Sequence, residues 1–315
     1  VELLNSEEID FEQYLKLTEA HMKVKDVSVF IDELKEDAKN PIIIQKVTMP
    51  WSKTINDFDF RAGEVTLYAG TNGSGKSLIT GQIALGLIKQ DQKICIMSFE
   101  MKPKRTILRM TRQFSGVDLD NPFLKDKAKV NDEYYERLRK FSTGKLWLYD
   151  QQGTTNSKQV ISVARYCAVE LGITHIFVDS LMKCVAGEDD YNSQKAFVDE
   201  LTALARDHNV HIHLIHHIRK LQSEEVKPNK NDIKGTGAIA DQVDNVLLMF
   251  RNKAKERKIR DGETVEGTPD AMLMCEKQRN GEVEDWYNLY YHKDSQQFVE
   301  DEQSVPMAFD TVGAF

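Results

Sequence analysis

The 315-residue chain lacks the features that mark several whole classes of protein. It has four cysteines, Cys95, Cys167, Cys184 and Cys275, widely spaced and with no C-x-x-C pair. This spacing excludes a disulfide frame and a cysteine zinc site, and points to free, mostly buried thiols in a reducing compartment. No apolar run approaches the ~18 residues of a membrane span. Residues 1–50 lack the basic-then-apolar layout of a secretory signal. The expected location is therefore cytoplasmic, with no membrane partner. Internal repeats are absent. An excess of positive charge is also missing: the net charge is −8, which at first argues against nucleic acid. That sum hides a basic cluster, however. Arg251, Lys253, Lys255, Arg257, Lys258 and Arg260 fall within ten positions, preceded by Lys227, Lys230 and Lys234, while acids gather at 188–190 and in the tail. A ring can be acidic outside and basic along a channel, so total charge does not decide the partner. The first residue is Val, and the chain is read as open to being part of a longer polypeptide.

What is present starts with residues 63–78. Val65 to Ala69 reads as a buried strand, and Leu78 onward has a helical apolar period. Between them Gly70-Thr71-Asn72-Gly73-Ser74-Gly75-Lys76-Ser77 matches G-x-x-x-x-G-K-[ST] in its strand–loop–helix setting. Glycines let successive N–H groups turn toward phosphate oxygens, and the following helix adds its positive end. Lys76 is expected to reach the β/γ-phosphates and Ser77 to ligate Mg²⁺, with Leu78 closing the nucleotide-contacting run. The ligand class is ATP or another NTP or dNTP.

Around this loop, strands and helices alternate, predicting an α/β fold with a mostly parallel sheet flanked by helices. Residues 1–50 form a leader in which Val27 to Glu36 is a candidate helix with Val27, Phe30, Ile31 and Leu34 on one face. So short a helix needs a partner surface, in its own domain or on a neighbouring subunit. The core spans 51–299, and 300–315 is an acidic tail. Within the core, helices are expected over 78–90, 103–115, 132–141, 157–171 and 194–208. Strands are expected at 93–99, 146–149, 174–179 and 210–216, and antiparallel edge strands at 245–250, 271–276 and 286–291. Residues 222–236 and 252–268 read as polar, irregular segments.

Two carboxylates end strands at the expected ligand edge of the sheet. Asp179, after His175-Ile176-Phe177-Val178, is placed to share Mg²⁺ with Ser77. Glu100, 24 residues beyond Lys76, can polarise the water that attacks the γ-phosphate, or else simply favour a helix start. His211, His213, His216 and His217 resemble a metal cluster superficially. On a strand, 211, 213 and 217 share one face, no carboxylate–His signature accompanies them, and a phosphate-sensing histidine at the strand end is the better reading.

Five ordered blocks together resemble the helicase domain of the DnaB-type hexameric replicative helicases, most closely the phage primase–helicases and the mitochondrial Twinkle helicase. They are Gly70–Ser77, Ser98–Met101, Phe177–Leu181, His216–Lys220 and Asp232–Ala238, followed by a sixth, Glu276–Gly281. The resemblance covers roughly 51–299 and implies a RecA-like P-loop NTPase core that hydrolyses NTP at the interfaces of a homo-hexamer, moves on single-stranded DNA from 5′ to 3′ and unwinds duplex. It implies that His217, with His216 as the one-residue alternative, senses the γ-phosphate. Lys277 and Arg279, which share a side of an expected edge strand, would act on the neighbour's nucleotide. Lys234, Gly235, Thr236 and Gly237 would grip the DNA backbone, and Arg251 and Tyr291 would sandwich the nucleotide base, although Tyr291 also suits a core position. By the same resemblance, the helix before the motor would pack on the adjacent subunit and the acidic tail would hold a replicative polymerase, while plain disorder is the alternative for the tail. No primase, zinc-finger or helical-collar sequence is present, so primase is expected as a separate or preceding part. A phage or mitochondrial relative would place the chain in host cytoplasm or mitochondrial matrix. Two other readings remain: a RecA- or clock-type filament or ring ATPase, and an ATP-gated DNA-binding module without unwinding.

Overall fold

The computed structural model describes residues 2–4, 26–39 and 46–310, except 186, 188, 189, 224 and 236. Ten strands form one sheet in the order β1-β4-β3-β5-β6-β2-β7-β8-β9-β10. The strands are β1 (Glu2–Leu4), β2 (Val65–Gly70), β3 (Ile94–Ser98), β4 (Leu146–Tyr149), β5 (His175–Asp179), β6 (His211–Ile215), β7 (Asn245–Arg251), β8 (Ala271–Gln278), β9 (Trp286–His292) and β10 (Gln297–Val299). The first seven in spatial order run parallel and the last three antiparallel. Two expectations are corrected. β7 pairs parallel with β2, and β8 is interior, flanked by β7 and β9, rather than an edge strand.

The phosphate-loop strand β2 lies between β6 and β7, buried along its whole length. Val65, Leu67 and Ala69 join the core on one face, with residues of α5 (Ser157–Glu170) and α6 (Tyr191–His208). Tyr68 points into the opposite core, with α2 (Lys76–Lys89) and α3 (Pro103–Ser115). Alternation along a strand sandwiched by helices produces this division. Local chemistry sets the helix ends: Pro103 occupies the first turn of α3, and Gly116 at φ 75° ends it. Asn156 caps α5 by accepting from the Lys158 N–H at 2.8 Å. Helix α4 (Lys127–Ser142) follows α3.

The remaining segments differ more from expectation. Residues 2–4 of the leader add a strand beside β4, and α1 (Val27–Lys39) forms with Val27, Phe30, Ile31 and Leu34 exposed. Residues 253–260, expected to be irregular, are helix α8 (Lys253–Arg260), and a short α7 (Gly237–Gln242) precedes β7. The start of the acidic tail lies on the domain. Phe309 is buried, Met307 N–H donates to Gln297 Oε1 at 2.7 Å, and Lys89 Nζ donates to the Ala308 carbonyl at 3.1 Å. Phe315 falls outside the described residues.

His175, His211 and His213 form a buried polar cluster on adjacent strands, a core arrangement. His175 Nδ1 and His213 Nε2 are 3.1 Å apart, and His213 Nδ1 shares a 2.9 Å hydrogen bond with the Tyr68 hydroxyl. His211 Nδ1–H donates to the Arg61 carbonyl at 2.7 Å, leaving Nε2 to accept from Thr66 at 2.9 Å. Burial holds all three below the usual histidine range, His211 at about 4. The unfolded chain therefore binds protons that the folded one does not. Stability contributed by the neutral rings is complete above pH ~6.5 and declines by about 1.4 kcal/mol per pH unit per histidine below it. The melting temperature is expected to fall from pH 6.5 to 5, and His211→Gln, which cannot charge, to flatten the slope. A slope that His211→Gln leaves unchanged would argue against this origin.

Candidate active site at the phosphate loop

β2 ends at Gly70, and the loop turns through Gly73 and Gly75 at φ 73° and 97° into α2. Gly70 is required for space: a Cβ there would sit 2.6 Å from the Met249 carbonyl oxygen and 2.7 Å from Ser74 Oγ. Lys76 is buried and donates to the carbonyls of Gly70 and Thr71, each at 2.9 Å. Burial draws its pKa down to about 8, opposed by the charges of Asp179 and Glu100. Phosphate oxygens offered to this ammonium would add the negative charge that its carbonyl partners lack.

β3 and β5 bring two carboxylates to the same edge, with Ser98 paired to Asp179. Ser77 Oγ lies 3.4 Å from Asp179 Oδ2. Burial and the facing Glu100 push Asp179 up to about 6. A hydroxyl and a carboxylate oxygen converging beside a phosphate loop fit a hard cation such as Mg²⁺, which takes its other ligands from phosphate and water. Glu100 accepts from the Ser180 hydroxyl at 2.9 Å and stands 3.8 Å from His217 Nε2. These neighbours, His217 foremost, hold it at about 2. A carboxylate so acidic is suited to orienting and polarising water more than to keeping its proton. It faces a 440 Å³ cavity with Asn72, Lys183, His217 and Lys234 on its walls.

β6 ends at Ile215, so His217 does not share a strand face with His211 and His213. The two terminal histidines diverge instead. His217 faces Glu100, while the fully buried His216 donates from Nε2 to the Lys234 carbonyl at 2.7 Å. Main chain joins the same segments: Lys234 N–H donates to the His217 carbonyl at 3.0 Å, and Ile218 pairs with Ile233. Arg219 adds a 2.8 Å bond to the Gly235 carbonyl. Gly235, at φ 100°, has no room for a Cβ, which would come within 2.5 Å of Gln194 Oε1. Gly237 opens α7, and Thr236 lies outside the described residues.

Beside the loop, Arg251 and Tyr291 line a 270 Å³ cavity with Gly73, Gly75, Leu78, Asp270 and Phe298. Lys277 and Arg279 are elsewhere. Gln278 pairs with Asn245, which pairs with Thr66, whereas Gly70 is level with Met249 and Leu273. The basic pair thus sits at the opposite end of the strands, about 13 Å along β2 from the phosphate loop. Lys277 Nζ donates to three carbonyls at the end of α7 (Ala240, Asp241 and Val243, 2.7–2.9 Å). Arg279 pairs with Asp244 at 3.0 Å and donates to the Asp241 carbonyl, also at 3.0 Å.

Sequence reasoning missed Ser180, Lys183, Asp270 and Phe298. Ser180 and Lys183 lie within four residues of Asp179, and adjacency was their available signal. Asp270 and Phe298 enter only through the antiparallel pairing of β8 to β10.

A parallel sheet carrying a phosphate loop, with Asp and Glu at neighbouring strand ends, defines a P-loop NTPase of the RecA-like kind. Residues 56–300 match the family described as DnaB-like helicase C terminal domain. The chain is 24% identical to the replicative DNA helicase DnaB of Helicobacter pylori over 72% of this chain and 50% of that protein. It is 22% identical to the replicative DNA helicase DnaC of Bacillus subtilis over 81% and 55%. It therefore spans about half the length of the curated relatives it matches. Among solved structures, an isolated ATPase domain superposes with a TM-score of 0.73 at 15% identity, over 88% of this chain and 99% of that one. A DnaB-like replicative helicase studied with its primase interactions gives 0.68 at 16%, over 88% and 67%. The chain belongs to the family of DnaB-like helicase C-terminal domains.

Because the Met249 carbonyl cannot retreat from β7, Gly70→Ala is expected to cost about 1–3 kcal/mol and to abolish nucleotide binding. Denaturant unfolding with a nucleotide titration checks this, and an unaltered affinity would contradict the close approach.

Proposed function

We propose that this chain is the motor of a replicative DNA helicase, an NTP hydrolase that works as a homo-hexameric ring, draws single-stranded DNA through its centre and separates the duplex, 5′ to 3′ as in the family it belongs to. The placement of Lys277 and Arg279 carries the reading. They lie at the wrong end of the sheet for their own nucleotide, and they are well placed for a neighbour's if subunits stack the base of one sheet against the phosphate loop of the next.

In this reading the loop N–H groups of 70–78 and Lys76 hold the phosphates, and Arg251 and Tyr291 enclose the base. Bound with the nucleotide, Mg²⁺ would spread phosphate charge, and Ser77 and Asp179 are the residues that would hold it. Glu100 orients the attacking water. His217, beside Glu100, registers the γ-phosphate. Arg279, with Lys277, stabilises charge on the neighbour's transferring phosphate. Lys234 and the glycines at 235 and 237, with Thr236, grip the DNA backbone.

Two links join these events. The 216–218 segment is bonded directly to 233–235, so a shift at the phosphate edge moves the DNA loop. Helix α7 begins at that loop and ends on Lys277 and Arg279, which ties the grip on DNA to the pair that serves the next subunit. The exposed apolar face of α1 suits docking on an adjacent subunit, and primase and polymerase are the partner classes this reading carries.

Arg279→Ala subunits are expected to bind nucleotide yet lose roughly 10³-fold or more in turnover, and Lys76→Ala subunits to lose binding. Mixed, the two inactive proteins should regain activity, because some interfaces pair an intact loop with an intact arginine. Full turnover in homogeneous Arg279→Ala, or no recovery on mixing, would contradict the shared site. His216→Ala, which removes the donor to the Lys234 carbonyl, should lower stimulation by single-stranded DNA about threefold or more while turnover without DNA persists. Unchanged stimulation would break that link.

A further inference from the structure

Helix α8 was not expected, and the nucleotide-site roles assigned above make no use of it. Its cap is local: Asn252 Oδ1 accepts from the Lys255 N–H at 3.0 Å. Two consecutive side chains then leave the helix toward the cavity beside the phosphate loop. Glu256 takes the Arg251 guanidinium in a two-point pair, Nε to Oε1 at 2.5 Å and Nη2 to Oε2 at 3.0 Å. The remaining edge of the guanidinium donates through Nη1 to the Gly73 carbonyl at 2.9 Å. Arg251 is thus held between α8 and the phosphate loop, and its plane is set by a planar partner on one side and a backbone carbonyl on the other.

The second wall is held from the neighbouring residue. Lys255, buried although it is a lysine, reaches Asp270 Oδ1 at 2.9 Å. Asp270 Oδ2 accepts from the Tyr291 N–H at 2.8 Å. The Tyr291 ring packs near Phe298, 5.5 Å between centroids, at the side of the same 270 Å³ cavity. One short helix therefore fixes a cation on one wall and, through Asp270, an aromatic residue on the other.

We infer that α8 is a brace for the nucleobase, with Glu256 positioning Arg251 and Lys255 positioning Tyr291 through Asp270, so that the cavity is shaped for a flat ring before nucleotide arrives. The inference rests on the nucleotide-site reading above and deepens it. Stacking by a guanidinium and a ring depends on their planes being aligned. A ring that enters aligned walls spends little on ordering them, so loosening either wall weakens the base-bearing ligand. Phosphate contacts, made by the loop and Lys76, are left alone.

The test compares wild type, Glu256→Gln, Arg251→Gln and the double variant in the full chain. It reads KM for ATP hydrolysis, affinity for ADP by calorimetry, and the inhibition constant of inorganic tripolyphosphate, a probe with no base. Glu256→Gln should raise KM and the ADP dissociation constant about five- to tenfold and leave the tripolyphosphate constant within about twofold. The double variant should be no worse than Arg251→Gln, because Glu256 acts through Arg251. Lys255→Met should give the same ATP-specific loss by the other wall. Where its melting temperature shows the buried site disturbed, the surface variant Glu256→Gln decides. An ADP affinity unchanged in Glu256→Gln, an equal loss of tripolyphosphate, or losses that multiply in the double variant would overturn the inference. Absence of ATP turnover in wild type would count against the proposed function instead, and ADP affinity would still test the brace.

Discussion

Strand register is the constraint on which the rest depends. With β2 held between β6 and β7 in parallel, Gly70 and the phosphate loop emerge at one end of the sheet, level with Met249. The antiparallel return of β8 carries Lys277 and Arg279 to the other end, level with Thr66. Main-chain bonds at both ends make this separation rigid: Val65 N–H donates to Asp244 Oδ2 at 2.9 Å, and Arg279 N–H to the Asp244 carbonyl, also at 2.9 Å. A chain built this way has a complete phosphate cradle, and its spare cations lie where that cradle cannot use them.

At the ligand edge the same register gathers unlike charges. Lys76, Asp179, Glu100 and His217 belong to the ends of four different strands or the turns that follow them, and their neighbours divide the work among them. The more buried carboxylate is pushed up and lies against a hydroxyl, which suits cation binding. The more exposed one is pulled down by His217 and Ser180, which suits holding a polarised water. His216 and His217, adjacent in sequence, serve different directions because β6 has already ended at Ile215 and the chain turns away from the strand.

Much of this was legible in the residues. The glycine spacing of the phosphate loop, the apolar strands ending in Asp179 and near Glu100, and the Pro103 and Gly116 boundaries of α3 are local signals, and each appears where expected. Strand direction was not legible for β7: Val246 to Phe250 is an apolar run equally suited to either orientation, and only pairing to β2 decides it. Helix α8 was hidden because Lys253 to Arg260 has almost no apolar stripe, and its stability comes from the Asn252 cap and from partners far along the chain. The buried histidines looked like surface or ligand residues until Tyr68, Thr66 and the Arg61 carbonyl supplied their hydrogen bonds. Phe298 and Asp270 entered the nucleotide cavity through pairing of strands distant in sequence, which no spacing rule encodes.

The central claim is that a single protomer holds only part of its catalytic site. Turnover per protomer, measured across a dilution series alongside assembled mass and with saturating nucleotide, tests it most directly. The account predicts that turnover falls steeply once the protein dissociates and that it tracks the assembled fraction. Constant turnover per protomer through dissociation to monomers would contradict it.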